Sequence, residues 1–288
     1  MIEVARLEEV ARAAGADLLG IAPLERFAEI DAQHHPRSIF PETQSVIVVG
    51  KRITRGCLRG VEEGTQFSLY ATYANNWVPH RFLAYATVSI ASFLEDNRHE
   101  AVPIPHLPPE TPPMGIAVRQ GAPLPNVMID FVDAAVRAGL GHVAVTGELM
   151  TPEFGPLQRI QVILTDAVLP ASPLCATSVC DQCGKCAHAC PLGAIDMGQL
   201  ADRTICGVRS KMAALDRGAC GRCRNGAQPN PCHSSGQPDR VAALCMRTCV
   251  NRLWNEDRLK TRFANRFRTR PAWQIGRSGV AELQEGEQ

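Results

Sequence analysis

The stretch CDQCGKCAHACP spans residues 180–191 of a 288-residue chain. Its spacing is C-x2-C-x2-C-x3-C, closed by Pro191. Three thiols this close can take three corners of an iron–sulfur cubane, while the fourth, set off by the turn before the proline, is directed at a second cluster. Such an exchange predicts a second cysteine set that returns one ligand to the first cluster. Downstream lie Cys206, then Cys220 and Cys223 in CGRC, then Cys232, Cys245 and Cys249. The spacing assigns Cys180, Cys183 and Cys186 with Cys232 to the first [4Fe–4S] cluster, and Cys190 with Cys206, Cys220 and Cys223 to the second. Eight residues separate Cys223 from Cys232, more than a ferredoxin run allows, so Cys249 stays open as the rival fourth ligand. Zinc is the competing metal, yet zinc ribbons pair two C-x2-C knuckles rather than closing a triple run on Cys-Pro. Cys57 and Cys175 have no evident partners and read as incidental thiols.

The composition around this motif is that of a globular protein, 45% apolar and 20% charged, and no run approaches the roughly 18 apolar residues of a membrane span. The first twenty residues mix acids and bases in an amphipathic pattern without the apolar core of a signal peptide. A cytoplasmic location is therefore expected, and there twelve cysteines argue for metal or redox chemistry over disulfides. The net charge of +1 conceals an asymmetry. Residues 1–172 carry 13 Lys and Arg against 19 Asp and Glu, and the remainder carries 17 against 10. Thiolate-bound clusters are anionic, so the basic half reads as their compensation.

Up to about residue 170 helix-like and strand-like pieces alternate. A helix near 3–14 stops at Gly15, and DLLGIA, SVIVVG and RIQVILTDAVL (159–169) read as strands. Residues 81–97 and 126–138 have helical spacing, whereas the Pro-dense VPIPHLPPETPPMG reads as irregular loop. Helices and strands without a strict βαβ rhythm predict an α+β class. From 173 onward the chain turns rich in Cys, Gly and Pro, as in a small domain folded around metal. The expected division is a substrate- and cofactor-binding domain at 1–172, a cluster domain at 173–255 and a basic tail at 256–288 whose last residues, AELQEGEQ, read as disordered.

Upstream of the cysteines stands AGLGHVAVTGELMTPEFGPLQRIQVILTDAVL, residues 138–169. The order of a GLG loop, a TPEFGP turn, an ILTDAVL strand and a double-cluster motif resembles the corrinoid-dependent reductases, namely epoxyqueuosine reductases and reductive dehalogenases. The resemblance implies a nitroreductase-like first domain followed by a ferredoxin-like domain. It implies a base-off cobalamin near the first cluster, held around Gly139, Gly141, Gly147, Thr151, Pro152, Gly155 and Thr165. Ala144 and Val145 depart from the family, which has Gly and then Lys or Arg there. Glu148 replaces an apolar residue, and Pro125 stands where epoxyqueuosine reductases carry an acidic donor. These departures count against a tRNA substrate.

Few residues qualify as proton donors. Tyr70 and Tyr73 lie at i, i+3 on an expected helix, and the resemblance implies a tyrosine in this role. Asp130 is the carboxylate nearest the missing donor, with Asp133 on the same solvated face. The expected activity is an iron–sulfur oxidoreductase passing electrons through two clusters to cobalamin, which reduces a small-molecule substrate. A flavodoxin or ferredoxin is the expected donor; nucleic acid and membrane are not expected partners. The alternatives are a corrinoid-free two-cluster electron-transfer or accessory protein, and a cobalamin carrier.

Overall fold

A computed structural model describes residues 2–284, except 106 and 231. Helix α1 (Val4–Ala13) precedes strands β1 (Leu18–Pro23) and β2 (Ser45–Arg52). Helix α2 (Gly56–Glu62) leads to a π-helix (Tyr70–Leu83), α3 (Ala84–Asp96), β3 (Ala101–Ile104) and α4 (Phe131–Arg137). The two short strands β4 (His142–Val143) and β5 (Leu149–Met150) then lead to β6 (Gln158–Thr165). Four strands form an antiparallel sheet in the order β1-β2-β6-β3. Pro103 lies in the loop expected from its prolines, yet it joins this sheet. Its strand is the edge, where a missing backbone N–H is tolerated.

Alternation along β2 divides the core. Val46 and Val48 pack with α4 on one face, while Ile47 and Val49 meet α1 and α3 on the other, as a strand buried on both faces requires. In β6, Arg159 and Gln161 instead turn toward the π-helix and hydrogen-bond Ala74 O and Pro79 O. The mixed helix-and-sheet class is the one expected.

The cysteine-rich part opens with α5 (Lys185–His188) and a hairpin, β7 (Ile195–Ile205) and β8 (Val208–Leu215). Cys206 and Gly207 form its two-residue turn, both at positive φ, the geometry a tight hairpin demands. Then come α6 (Arg217–Gly221) and α7 (Leu244–Asn255). Two core clusters join this part to the first half. One packs Ala144, Val145 and Met150 with Val179, Cys186 and Cys245, and the other packs Ile53, Leu58 and Tyr70 with Val241, Val250 and Phe267. The tail wraps this contact: Phe267 is fully buried and Trp273 Nε1 donates to Val61 O at 2.7 Å. Ala281–Leu283, expected to be disordered, pairs as a strand with Trp273–Ile275; residues 285–288 lie outside the described residues. Among the described residues no helix is long and apolar enough to cross a membrane.

The charge asymmetry has a structural role within the fold. Bases of the second half pair with acids of the first: Arg268 with Glu62, Arg270 with Glu63 and Lys260 with Glu153, each at 2.5 Å, and Arg247 with Glu62. Arg247 and Glu62 are both buried. Burial works to raise the Glu62 pKa, but the Arg268 and Arg247 partners outweigh it and hold the carboxylate below its ordinary range. Breaking one side of a buried pair leaves an uncompensated charge. Glu62→Gln should therefore lower stability by roughly 3–5 kcal/mol, read as a fall in the denaturant midpoint, whereas the exposed-pair control Glu9→Gln should leave it nearly unmoved.

Candidate functional site

Eight of the twelve cysteines fall into two groups of four. Burial and the neighbouring Cys180 push the Cys186 thiol up to about 11, with Cys183 adding to the effect. Cys249 is raised further by burial and then by Cys186, Cys180, Cys183 and Cys245. These thiols share a small cavity walled by Ala144, Val145, Met150, Val179 and Met246. The second group comprises Cys190, Cys220, Cys223 and Cys245. Burial raises Cys245 most, and its thiol neighbours are Cys190, Cys223 and Cys220; Cys220 has Cys223 and Cys190 beside it. Cys190 Sγ accepts from Ala194 N and Cys223 Sγ from Asn225 N, both at 3.4 Å. Among the described residues no three His, Cys, Asp or Glu side chains close on a single metal ion; the quartets are wider groupings.

Helix α7 contributes to both. Cys245 and Cys249 sit one turn apart, at i and i+4 on one face, and α7 packs on α5, which carries Cys186. Cys206 stands apart at the hairpin turn. Its thiol donates to Arg26 O at 3.3 Å and accepts from Arg137 at 3.4 Å. Cys232 also stands apart. Burial raises it, Arg159 opposes, and it lines a cavity of about 520 Å³ between the two halves.

That cavity is walled by Asp130, Gly147, Glu148, Gln158, Arg159, Arg203, Asp239, Arg240 and the β8 residues Met212, Ala213 and Leu215. The β8 residue Leu215 packs on Cys220 of the second quartet, while Thr146 lines both the small cavity of the first quartet and this cavity. Two of its residues carry buried polar atoms without partners, Asn75 Oδ1 and Arg240 Nε and Nη1.

The donors expected from sequence divide around this cavity. Tyr70 is fully buried behind its wall, donating to Asp239 Oδ2 at 2.6 Å and accepting from Arg159 Nη2 at 2.9 Å. Tyr73 lies half-exposed against Trp77 and borders a different pocket. The π-helical turn is wider than an α turn, so i, i+3 residues part. Asp130 reaches the cavity but is committed twice. It caps α4 by accepting from Val132 N and Asp133 N, and it pairs with Arg203 at 2.8 Å. Asp133, expected on a solvated face, is buried against Arg137.

Of the residues implied to hold a corrinoid, Gly147 lies on the cavity wall, at φ +84°. Gly139 and Gly141 admit close backbone: a Cβ there would collide with Pro173 O or Met150 O. Thr151 bonds Gln158 and bridges to Gly155, Pro152 O accepts from Lys260 N, and Thr165 Oγ1 accepts from Ala167 N. These residues build the turns around the site. Sequence reasoning missed Arg159, Arg203, Asp239 and Arg240, which a strand or loop pattern does not single out. Glu148, noted only as a departure, has a visible reason: its Oε1 accepts from Arg240 at 2.8 Å.

An antiparallel sheet covered by helices and joined to a cysteine-rich part is a fold that known proteins share. The solved structure of a reductive dehalogenase, reported with a mechanism for B12-dependent dehalogenation, matches 85% of this chain and 31% of its own, at 18% identity and a TM-score of 0.56. The chain is similar in sequence to tetrachloroethene reductive dehalogenase of Sulfurospirillum multivorans, 43% identical over 67 residues, or 22% of this chain and 13% of that protein. It is also similar to epoxyqueuosine reductase of Synechococcus sp. strain RCC307, 38% identical over 72 residues, covering 25% of this chain and 22% of the relative. The matched segments thus span less than a quarter of either relative. No family model matches the chain. The second relative removes the support for excluding a nucleic-acid partner, because that expectation rested on departures from the tRNA-acting members.

Burial holds the Tyr70 phenol well above the ordinary tyrosine range, with Arg159 opposing and Asp239 assisting. Free tyrosine loses its proton near pH ~10, so alkaline titration should leave one of the three tyrosines unionised until the fold opens. Tyrosinate absorbance reads this directly, and Tyr70→Phe should abolish the late step.

Proposed function

We propose that the chain is an iron–sulfur reductase with two [4Fe–4S] clusters, one on Cys180, Cys183, Cys186 and Cys249, the other on Cys190, Cys220, Cys223 and Cys245. The observation that carries this reading is the sorting of eight thiols into two quartets bridged by α7. Their number, softness and apolar surroundings suit iron–sulfur ligation. Cys249 thereby takes the place given to Cys232, and Cys245 the place given to Cys206. In this reading residues 1–172 form a nitroreductase-like domain and 173–255 a ferredoxin-like domain, and the described tail, 256–284, is a strap across both.

The cavity is the proposed seat of a base-off cobalamin and a small-molecule substrate. Its unpartnered Asn75 Oδ1, with Gln158 and the open backbone of Gly147, suits a macrocycle rimmed by amides. A bound corrinoid would supply low-potential reductive chemistry at a carbon–halogen bond or an epoxide. The chain's own residues orient and protonate. Tyr70 donates its proton to Asp239 on the cavity wall, with Arg159 bonded to both, so that Asp239 is the group facing the substrate, and Arg203 positions Asp130 in the same cavity. Tyr73 faces elsewhere and has no part in this scheme.

Electrons enter on the opposite side. Cys183 is exposed, and Arg252 and Arg258 gather at the neighbouring Asp181. An exposed ligand edged by charged side chains suits a docking flavodoxin or ferredoxin.

Anaerobically reconstituted protein should hold two cubanes' worth of iron and sulfide and change the absorbance and EPR spectra of added cobalamin. Cys249→Ser and Cys245→Ser should each lose one cluster, while Cys232→Ser and Cys206→Ser keep both. The reverse pattern overturns the ligand sets. Two clusters with unchanged cobalamin spectra would make the chain a corrinoid-free electron carrier.

A further inference from the structure

Arg240 is buried, with its side chain 5% exposed. Its Nη2 donates to Thr146 O and to Glu148 Oε1, both at 2.8 Å, which fixes the plane of the guanidinium. Its Nε and Nη1 have no acceptor. The other buried and half-buried arginines of this region differ. Arg137, Arg159 and Arg247 each use Nε and both terminal nitrogens. Buried donors without partners are rare because each forfeits its hydration, so the two nitrogens of Arg240 point to an acceptor.

The position of the guanidinium narrows the choice of acceptor. It lies on the cavity wall, and besides Glu148 the ionisable side chains around it are Cys245 and Cys220, thiols of the second quartet. The carboxylate tether holds the side chain between that quartet and the cavity.

We propose that Arg240 donates through Nε and Nη1 to the sulfur atoms of the cluster on Cys190, Cys220, Cys223 and Cys245, making that cluster the higher-potential, cavity-side member of the pair. The inference rests on the two-cluster reading. Reduction adds a negative charge to a cluster. A fixed cation and two N–H donors therefore stabilise the reduced form more than the oxidised form and raise the potential. Arginine stays protonated at any pH the protein survives, so the effect is independent of pH across the neutral range. Electrons arriving at the exposed quartet would then settle beside the cavity.

The test is an EPR-monitored redox titration of reconstituted protein, with iron and sulfide counted in the same samples. Arg240→Met should lower the midpoint of one cluster and leave the other in place. A tenfold change in the oxidised-to-reduced ratio, ~59 mV for one electron, is the expected order. Arg240→Lys, which keeps the charge but loses the fixed fork, should shift the same cluster less, and it decides the matter if the methionine variant fails to take up iron. Two full clusters with both midpoints unmoved in Arg240→Lys overturn the inference alone. So does a variant whose only defect is weaker cobalamin binding, since Arg240 would then serve the cavity ligand. Fewer than two clusters in the unsubstituted protein sinks the cluster reading and takes this inference with it.

Discussion

A guanidinium buried between two packed layers must find a carboxylate, because desolvation of an unpaired charge costs several kcal/mol. Four arginines meet that constraint here: Arg137 with Asp133, Arg159 with Asp239, Arg240 with Glu148, and Arg247 with Glu62. The last three bring a base and an acid from different stretches of chain to one place. Arg240 and Glu148 close the wall between cavity and cysteines. Arg159 and Asp239 lock Tyr70 behind that wall. Arg247 and Glu62, joined by Arg268, fasten α7 to α2. The cavity and both thiol groups take their relative positions from these pairs, and the apolar clusters fill the space between them.

The strands of the first half were legible because each is an apolar run of core length with β-branched residues. β1, β2 and β6 appear where DLLGIA, SVIVVG and RIQVILTD stand. The edge strand at Pro103 was hidden by its prolines. The hairpin at 195–215 was hidden by its own exposure, since polar residues interrupt both strands before an apolar run of core length builds up, and Gly207 alone marks the turn.

The candidate site was legible in part. Six of the eight grouped thiols, Cys180, Cys183, Cys186, Cys190, Cys220 and Cys223, stand in short runs whose spacing announces metal chemistry. The other two sit in LCMRTCVNRLW, where a gap of four residues on a helix puts both thiols on one face. Read as a linear string that gap carries no ligand signature. Cys206 and Cys232 were nearer in sequence, but a hairpin turn carries one onto Arg26 and Arg137 and the other lines the cavity. Arg159, Asp239 and Arg240 are brought together only by tertiary packing, so no local pattern reveals them.

Helix α7 carries a consequence for how the two proposed clusters would fail. Four residues along an α-helix advance about 6 Å, so Cys245 and Cys249 are held on a common rod, one thiol in each quartet. Arg247 lies between them in sequence and anchors the rod to Glu62. Any disturbance that rolls or frays this rod withdraws a ligand from each quartet at once. The pair would therefore be lost in concert, as one cooperative unit, instead of decaying through a long-lived single-cluster species.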